Sequence, residues 1–230
     1  NTMSDSDCCE PGTCRSPRLR LGAVLLAAGE GQRLGYRAKG LLEVAGQTLL
    51  ARNLQLLHSA GVDEVVVVTG HYRDELAPVL SAMIAELDEL VITEVMQSGE
   101  SHSQADSLRL AIEGFTGELD ATLVMPVDMP SLTRADIIAL IGAYKHAPET
   151  IEFVGPQVAG RPGNPVLFNQ RIAGCIARGE GEFGSGAWRH ASPDWALEWQ
   201  TDNAHYVADI DTPEDLARWA DAISRWADKI

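Results

Sequence analysis

Apolar and polar residues follow two patterns that alternate along the chain from residue 21 onward. Compact, mostly apolar runs predict strands at 21–29, 63–70, 91–96 and 121–130. Apolar residues at helical spacing predict helices at 48–61, 72–87, 103–115 and 133–146. Strands separated by helices of this length favour right-handed crossovers. The pattern therefore predicts an α/β fold with a doubly wound, mostly parallel, Rossmann-like sheet.

The pattern changes after residue 150. Residues 151–169 predict two short strands around a turn rich in glycine and proline, and a glycine-rich loop follows at 179–186. A last strand is predicted at 205–211, and a long helix should begin after Thr212, with Pro213 in its first position. The C-terminal third is thus more irregular than the rest of the chain.

The unbroken pattern predicts a single domain, and the net charge disfavours nucleic acid and anionic membranes as partners. No linker or repeat interrupts the pattern, so we interpret residues 19–230 as one domain and the polar residues 1–18 as a disordered tail. The formal net charge of −15 disfavours binding to nucleic acid or an anionic membrane, and no apolar run approaches the ~20 residues of a membrane span. Cys8, Cys9 and Cys14 have no zinc-site spacing, and the absence of a disulfide framework favours a cytoplasmic location.

The first predicted strand leads into the glycine-rich stretch "AAGEGQRLGYRAKG" at 27–40. The stretch fails the dinucleotide pattern G-x-G-x-x-G, because its third glycine, Gly35, comes one residue late. It also fails the P-loop pattern, because Lys39 precedes Gly40 instead of following a glycine. Closely spaced glycines still let backbone N–H groups approach an anion, and Arg33 and Lys39 add cationic donors. The stretch is either a phosphate-binding loop or a mobile turn with solvated cations.

Carboxylates follow two of the predicted strands. Asp128 comes after the run "TLVMPV", and Asp209 and Asp211 end the strand predicted at 205–211. Asp128 could instead form a turn, and Asp211 could instead bond to amides at the start of the next helix. Together with the glycine-rich loop, however, carboxylates at the mouth of the sheet favour a site for Mg²⁺ and a nucleotide.

Six stretches carry a resemblance to a known family: "LLAAGEGQRLGYRAK", "VVVVTGH", "SLRLAI", "VMPVDMPSL", "GRPGNPVLF" and "DIDTPEDL". In this order, between residues 21 and 220, they resemble the MobA-like nucleotidyltransferases, and most of all the molybdopterin cytidylyltransferases. The resemblance implies a Rossmann-like nucleotidyltransferase that joins an NTP to molybdopterin or molybdenum cofactor and releases pyrophosphate. It also implies Mg²⁺ as cofactor, with Mn²⁺ as a substitute, and a molybdoenzyme or its chaperone as a partner.

The resemblance also implies roles for individual residues. The NTP would be bound by Ala27, Ala28, Gly29, Gly31, Arg33, Lys39 and Ser107. The catalytic residues would be Arg33, Lys39 and Asp128, and the metal ligands would be Asp128 and Asp211. The acceptor side would include Gly163, Asn164 and Pro165. Because Ala27 and Ala28 stand where related guanylyltransferases carry A-G-G, the resemblance favours CTP.

Some positions depart from the family pattern, and others allow two interpretations. Asn164 replaces the histidine of G-H-P, whereas Ser185 and Trp188 replace the aspartate and arginine of G-D-x-G-A-R. These departures concern the acceptor side. Ser103 and Ser107 match the family's "S-L" segment, but they could equally cap the predicted helix or face solvent.

Two other functions remain open. One is nucleotidyl transfer to a sugar phosphate or another small phosphorylated acceptor. Sugar-nucleotide enzymes usually carry a Glu-Lys-Pro segment, but none of the three lysines here precedes a proline. The other is a non-catalytic nucleotide-binding accessory protein. Lys39, Asp128 and Asp211 argue against this, since a binding protein has less need of both metal carboxylates.

Overall fold

The computed structural model describes residues 18–98, 103–180 and 194–219. Four predictions lie wholly or partly outside these ranges: the disordered tail, apart from Arg18; the glycine-rich loop beyond residue 180; the departures at Ser185 and Trp188; and the last helix beyond residue 219. The described strands are β1 (Leu21–Leu26), β2 (Glu43–Val44), β3 (Gln47–Thr48), β4 (Glu64–Thr69), β5 (Val91–Met96), β6 (Ala121–Pro126), β7 (Phe153–Val158), β8 (Arg161–Pro162), β9 (Val166–Asn169) and β10 (Ala196–Gln200). The described α-helices are α1 (Leu49–Ser59), α2 (Arg73–Glu86), α3 (Gln104–Glu113), α4 (Arg134–His146), α5 (Gln170–Ala177) and α6 (Pro213–Arg218).

Most of these strands form one mixed, mainly parallel sheet. Its order is β10, β7, β9, β6, β1, β4 and β5, with β8 paired to β7. The strands β6, β1, β4 and β5 are mutually parallel, whereas β9 runs antiparallel to both β6 and β7. β2 and β3 form a separate hairpin. The predicted α/β fold with a mostly parallel sheet is therefore confirmed.

Helices cover both faces of the sheet. On one face, alternate strand residues such as Leu25 and Val67 pack with apolar side chains of α1, α2 and α4. On the other, the intervening residues, such as Val24 and Val66, pack with α3 and α5. Because successive side chains of a strand point to opposite faces, the central strands must be apolar at every position to supply both cores. This explains the compact apolar runs in the sequence.

The strand predicted at 205–211 is wrong. Ala204–Val207 forms a 3-10 helix, and the Asn203 side chain caps it by accepting a hydrogen bond from the His205 N–H. The last described strand is instead β10, which pairs parallel to β7. Asp209 and Asp211 therefore follow a 3-10 turn and do not end a strand.

The 3-10 helix and the segment after it form backbone hydrogen bonds with the loops before β9 and after β6. The Asn164 N–H donates to the Tyr206 carbonyl over 2.8 Å, and the Ile210 N–H donates to the Asp128 carbonyl over 2.9 Å. These bonds fix the segment that connects the 3-10 helix to α6. That helix begins as predicted, after Thr212 and with Pro213 in its first turn.

Two predicted strands end earlier than expected, at Leu26 and Pro126. The loop 27–40 therefore begins directly after β1, and Asp128 lies in the loop after β6. In the large sheet, β1 lies between β6 and β4, and β4 is the strand that follows β1 along the chain. Such a reversal of strand order opens a crevice at the carboxyl ends of the strands.

Candidate functional site

The crevice at the ends of β1 and β6 is a cleft of about 380 Å³, within the range that small-molecule sites occupy. Its lining residues are Leu26, Ala27, Ala28, Gly29, Gly31, Gln32, Arg33, Lys39, Gln97, Gln104, Ser107, Pro126, Val127, Asp128 and Asp211. All the residues predicted to bind the nucleotide or the metal are among them. The structure thus brings together residues from four separate parts of the chain, at 26–39, 97–107, 126–128 and 211.

Close backbone contacts require glycine at one position in the glycine-rich loop and at one position beside it. Gly31 has a φ of 60°, in the left-handed region, and a Cβ at this position would overlap the Arg37 carbonyl oxygen. A Cβ at Gly70, at the end of β4, would lie 3.0 Å from the Ala28 carbonyl oxygen. The loop is therefore a folded backbone surface along one side of the cleft.

Lys39 lies between the two predicted metal ligands. Its Nζ donates to Asp128 Oδ2 over 2.5 Å and to Asp211 Oδ1 over 3.1 Å. Arg33 also forms an ion pair with Asp211. The side chains of Lys39 and Asp128 are only 15% and 12% exposed, so water screens this pair poorly. Asp128 Oδ1 is buried and has no hydrogen-bond partner among the described residues.

Burial and charge shift the pKa values of these three groups in different directions. Burial raises the pKa of the Asp128 carboxyl, and the charge of Lys39 opposes this rise without reversing it. Burial alone would lower the pKa of Lys39, but Asp128 and Asp211 outweigh it and raise that pKa. For Asp211, bonds from Lys39 and Arg33 overcome burial and lower the pKa. Asp128 is thus the carboxylate that an additional cation would stabilise most.

The donor set fits a hard divalent cation. Asp128 and Asp211 offer only oxygen ligands, and Mg²⁺ is usually held by one or two carboxylates together with substrate phosphates. Within the described ranges, no cluster of three acidic, histidine or cysteine side chains forms a complete metal site. A metal here would therefore complete its coordination with water and substrate oxygens. The unpartnered Asp128 Oδ1 is a buried acceptor that such an ion would satisfy.

One wall of the cleft includes polar residues that sequence analysis misses, Gln97 and Gln104. Ser107 Oγ donates to Gln97 Oε1 over 2.5 Å, and Gln97 Nε2 donates to the Ser103 carbonyl over 3.3 Å. The two serines have different positions: Ser103 caps α3 by accepting from the Asp106 N–H, whereas Ser107 is buried in the wall. Gln97 directly follows β5, and a polar residue just after a predicted strand is the signal that could have found it.

The predicted acceptor residues Gly163, Asn164 and Pro165 do not line the cleft. They precede β9, which pairs with β6 so that Val166 lies opposite Val124. This register places them at the same edge of the sheet as the cleft. A Cβ at Gly163 would overlap the Tyr206 carbonyl oxygen, so the segment packs closely against the 3-10 helix. Its role in binding an acceptor stays a prediction.

A comparison with known sequences identifies related proteins. The sequence profile of the MobA-like NTP transferase domain matches residues 23–196. The bifunctional protein GlmU of Corynebacterium glutamicum is 30% identical over 131 residues, which are 56% of this chain and 26% of that protein. The bifunctional IPC transferase and DIPP synthase of Thermococcus kodakarensis is 36% identical over 104 residues, 44% of this chain and 22% of that protein. The chain spans about a quarter of the length of these curated relatives.

Solved structures show the same fold. Rv0371c from Mycobacterium tuberculosis H37Rv has a TM-score of 0.70 and 24% identity, covering 88% of this chain and 98% of that one. A structure of Rv0371c in complex with manganese has a TM-score of 0.64 and 24% identity, with coverages of 88% and 99%. Together with the family match, these likenesses confirm the predicted Rossmann-like nucleotidyltransferase fold. In the described parts of the chain, no helix has the length and apolar character needed to cross a membrane.

Proposed function

The chain belongs to the MobA-like NTP transferase family, and on this basis we propose that it transfers a nucleotidyl group from an NTP to a phosphorylated acceptor, using a divalent metal ion. The observation that carries the proposal is the meeting of Lys39 with Asp128 and Asp211 in the cleft, where Asp128 Oδ1 is buried without a partner in the described residues. In the reaction, an acceptor phosphate oxygen bonds to the α-phosphorus, the bond to the bridging oxygen breaks, and pyrophosphate leaves with the electron pair.

The chain's own residues bind and orient the triphosphate. Backbone N–H groups of the loop at Ala28, Gly29 and Gly31 face the anion, in the manner of other glycine-rich phosphate loops. Arg33 and Lys39 stabilise the negative charge that develops on the leaving pyrophosphate. The attacking oxygen belongs to the acceptor, so the reaction requires no nucleophilic side chain.

Asp128 and Asp211 would hold the metal ion. When bound, a divalent ion neutralises charge on the phosphates and orients them for in-line attack. Mg²⁺ is our first candidate, with Mn²⁺ as a substitute, since both ions take oxygen ligands. The manganese complex of the structural neighbour Rv0371c supports a divalent ion in this fold.

Two acceptors are candidates. Molybdopterin, with CTP as donor, is supported by the resemblance of "VMPVDMPSL" and "GRPGNPVLF" and by Ala27 and Ala28 in the loop. Delivery of its product to a molybdoenzyme or its chaperone stays a prediction attached to this candidate. A sugar phosphate or other small phosphorylated acceptor is the second candidate. It is favoured by the curated relatives, whose names, GlmU and IPC transferase and DIPP synthase, do not refer to molybdopterin.

Pyrophosphate release tests the proposal. The purified chain is incubated with Mg²⁺ or Mn²⁺, with CTP, GTP or UTP, and with molybdopterin or a panel of sugar phosphates. We expect the wild-type chain to release pyrophosphate, and we expect Asp128→Ala to abolish this release. Asp88→Ala is the matched control, because Asp88 is an exposed aspartate in the loop between α2 and β5.

Each result decides one part of the proposal. Release with GTP alone would contradict the cytidylyl assignment, and release with a sugar phosphate alone would favour the second acceptor. Full activity of Asp128→Ala would contradict a metal role for Asp128. If no pair reacts but CTP still raises the melting temperature, the chain is a nucleotide-binding protein and the enzymatic proposal fails.

A further inference from the structure

Helix α1 carries two adjacent polar residues, Arg52 and Asn53, in a segment rich in leucine. Asn53 is fully buried and has the helical spacing of Leu50, Leu54 and Leu57, which belong to the core. An apolar residue would be expected at this position of a core-facing helix. Burying the asparagine amide costs free energy that an apolar residue would not cost, so packing alone does not explain its presence here.

Both residues contact the loop that carries Asp128. Asn53 Nδ2 donates to the Val127 carbonyl over 2.8 Å. Arg52 Nε donates to the Pro130 carbonyl over 3.0 Å, and its Nη2 donates to the Leu132 carbonyl over 3.2 Å. These carbonyls belong to the residue before Asp128 and to the residues two and four positions after it, so α1 contacts the loop on both sides of the carboxylate.

The same helix also fixes the turn that carries Lys39. The Leu49 N–H, at the start of α1, donates to the Leu42 carbonyl over 2.8 Å. A Cβ at Gly40 would lie 2.9 Å from Leu76 Cδ2 of α2 and in ordinary contact with Leu50 Cβ of α1, at 3.6 Å, and Val127 Cγ2, at 3.7 Å. The Lys39 turn therefore packs against α1, α2 and the Asp128 loop. Helix α1 thus contacts both segments that carry the 2.5 Å pair of Lys39 and Asp128.

We propose that Arg52 and Asn53 are positioning residues that hold Asp128 at the distance from Lys39 and from a bound metal that catalysis needs. The inference rests on the proposed function, because it assumes that Asp128 acts in the cleft. Within the described residues, Asn53 Oδ1 is buried without a hydrogen-bond partner, which costs stability. Natural proteins keep such local costs mainly where a functional site needs them.

The test compares three variants with the wild-type chain. Arg52→Gln removes the guanidinium, Asn53→Leu keeps the size of the side chain but removes its donor, and Arg52→Lys keeps only the charge. Arg134→Gln is the matched control, because Arg134 Nε also donates to a backbone carbonyl, that of Ser59 at the far end of α1. The readouts are kcat and KM for the NTP at saturating metal, Mn²⁺ affinity by electron paramagnetic resonance, the melting temperature, and amide hydrogen exchange at residues 127–132.

Loss of such outer contacts typically lowers metal affinity or activity by about 10- to 100-fold. We expect Arg52→Gln and Asn53→Leu to lower kcat and Mn²⁺ affinity by that amount and to speed exchange at 127–132. The KM for the NTP should stay unchanged, because the loop after β1 binds the triphosphate. Arg52→Lys should recover part of the loss, and Arg134→Gln should behave as wild type in kcat and Mn²⁺ affinity.

Other outcomes overturn the inference. If both variants lower only the melting temperature, while the folded protein keeps its kcat and Mn²⁺ affinity, the contacts are purely structural. If the wild-type chain shows neither turnover nor Asp128-dependent Mn²⁺ binding, the proposed function fails. Hydrogen exchange then tests the contacts of α1 separately. Unchanged exchange at 127–132 in both variants would refute the claim that Arg52 and Asn53 hold the loop, whereas faster exchange would show that only the proposed function is wrong.

Discussion

Replacing Asp128 by asparagine should remove most of the activity and leave the protein at least as stable as the wild type. Asp128 is buried, accepts from Lys39 over 2.5 Å, and has a second oxygen without a partner among the described residues. Asparagine has nearly the same size, so Asp128→Asn removes the charge without creating a cavity. The substitution therefore separates the electrostatic role of the carboxylate from its packing.

Two opposing terms determine the change in stability. At an effective dielectric constant of about 20, a separation of 2.5 Å gives a Coulomb attraction of about 7 kcal/mol between Lys39 and Asp128. Desolvation costs several kcal/mol for each buried ion, so the pair contributes little net stability. The raised pKa of Asp128 shows that burial dominates for this carboxyl, and Lys39 keeps Asp211 as a partner in the variant. We expect a melting temperature equal to that of the wild type or up to about 4 °C higher, equivalent to about 1 kcal/mol.

The effect on activity should be far larger. Loss of one preorganised charge at a reacting phosphate costs on the order of 3 kcal/mol, or at least about a hundredfold in kcat. Thermal melts and pyrophosphate release should be measured on the same preparations, with the exposed Asp88→Asn as control. Turnover within about tenfold of the wild type would refute the catalytic role of Asp128. A fall in melting temperature that parallels the loss of activity would instead show that Asp128 is structural.

Three further predictions concern the loop, an acid-sensitive cluster and the metal. Gly31→Ala should raise the KM for the NTP at least tenfold, because the added Cβ would overlap the Arg37 carbonyl and displace the loop. Gly46→Ala is the control: Gly46 also has a positive φ but has open space around it, so this substitution should change only stability. Burial would raise the pKa of Asp136, but bonds from His205 and its other partners lower it below the ordinary 3.8. The ionised Asp136 carboxylate therefore stabilises the folded protein fully at pH values above 3.8, and this stabilisation is lost as the pH falls through the lowered pKa. Thermal melts should show that Asp136→Asn is less stable than the wild type at neutral pH and that the difference shrinks in acid. Chelation with EDTA should abolish pyrophosphate release, and added Mg²⁺ or Mn²⁺ should restore it; release that survives chelation would contradict the metal requirement.

The central strands could be predicted because burial on both faces leaves a strong local signal. The run 63–70 contains β4 (Glu64–Thr69), in which every residue is buried, whereas the run 205–211 does not form a strand. In that run, Tyr206 is buried and its hydroxyl donates to the Asp136 carbonyl, and Ile210 is fully buried as well. An irregular segment that buries the same apolar residues gives the same sequence pattern as a strand, so only tertiary contacts distinguish them.

The sequence predicted some of the residues that line the cleft but not the contacts between them. Residues after parallel strands share one edge of the sheet, which is why Asp128 and the glycine-rich loop could be expected to meet. The contacts of Lys39 with Asp128 and Asp211 join positions 89 and 172 residues apart, and no local pattern sets such distances. Asn53 did leave a signal, since it is a polar residue within the leucine stripe of a helix.

The charges that line the cleft argue against a protein that binds nucleotide without metal. Within the described residues, the charged side chains of the lining are Arg33, Lys39, Asp128 and Asp211, which balance one another. Asp209 lies close enough to raise the pKa of Asp128, so the surroundings add negative charge. A triphosphate is strongly anionic, and such a cleft would attract it weakly, because each cation is already paired with a carboxylate. A divalent cation held by the two carboxylates would reverse the local charge, so that a triphosphate would meet net positive charge from the ion and the neighbouring Lys39. The arrangement therefore suits metal and nucleotide arriving together, as nucleotidyl transfer requires.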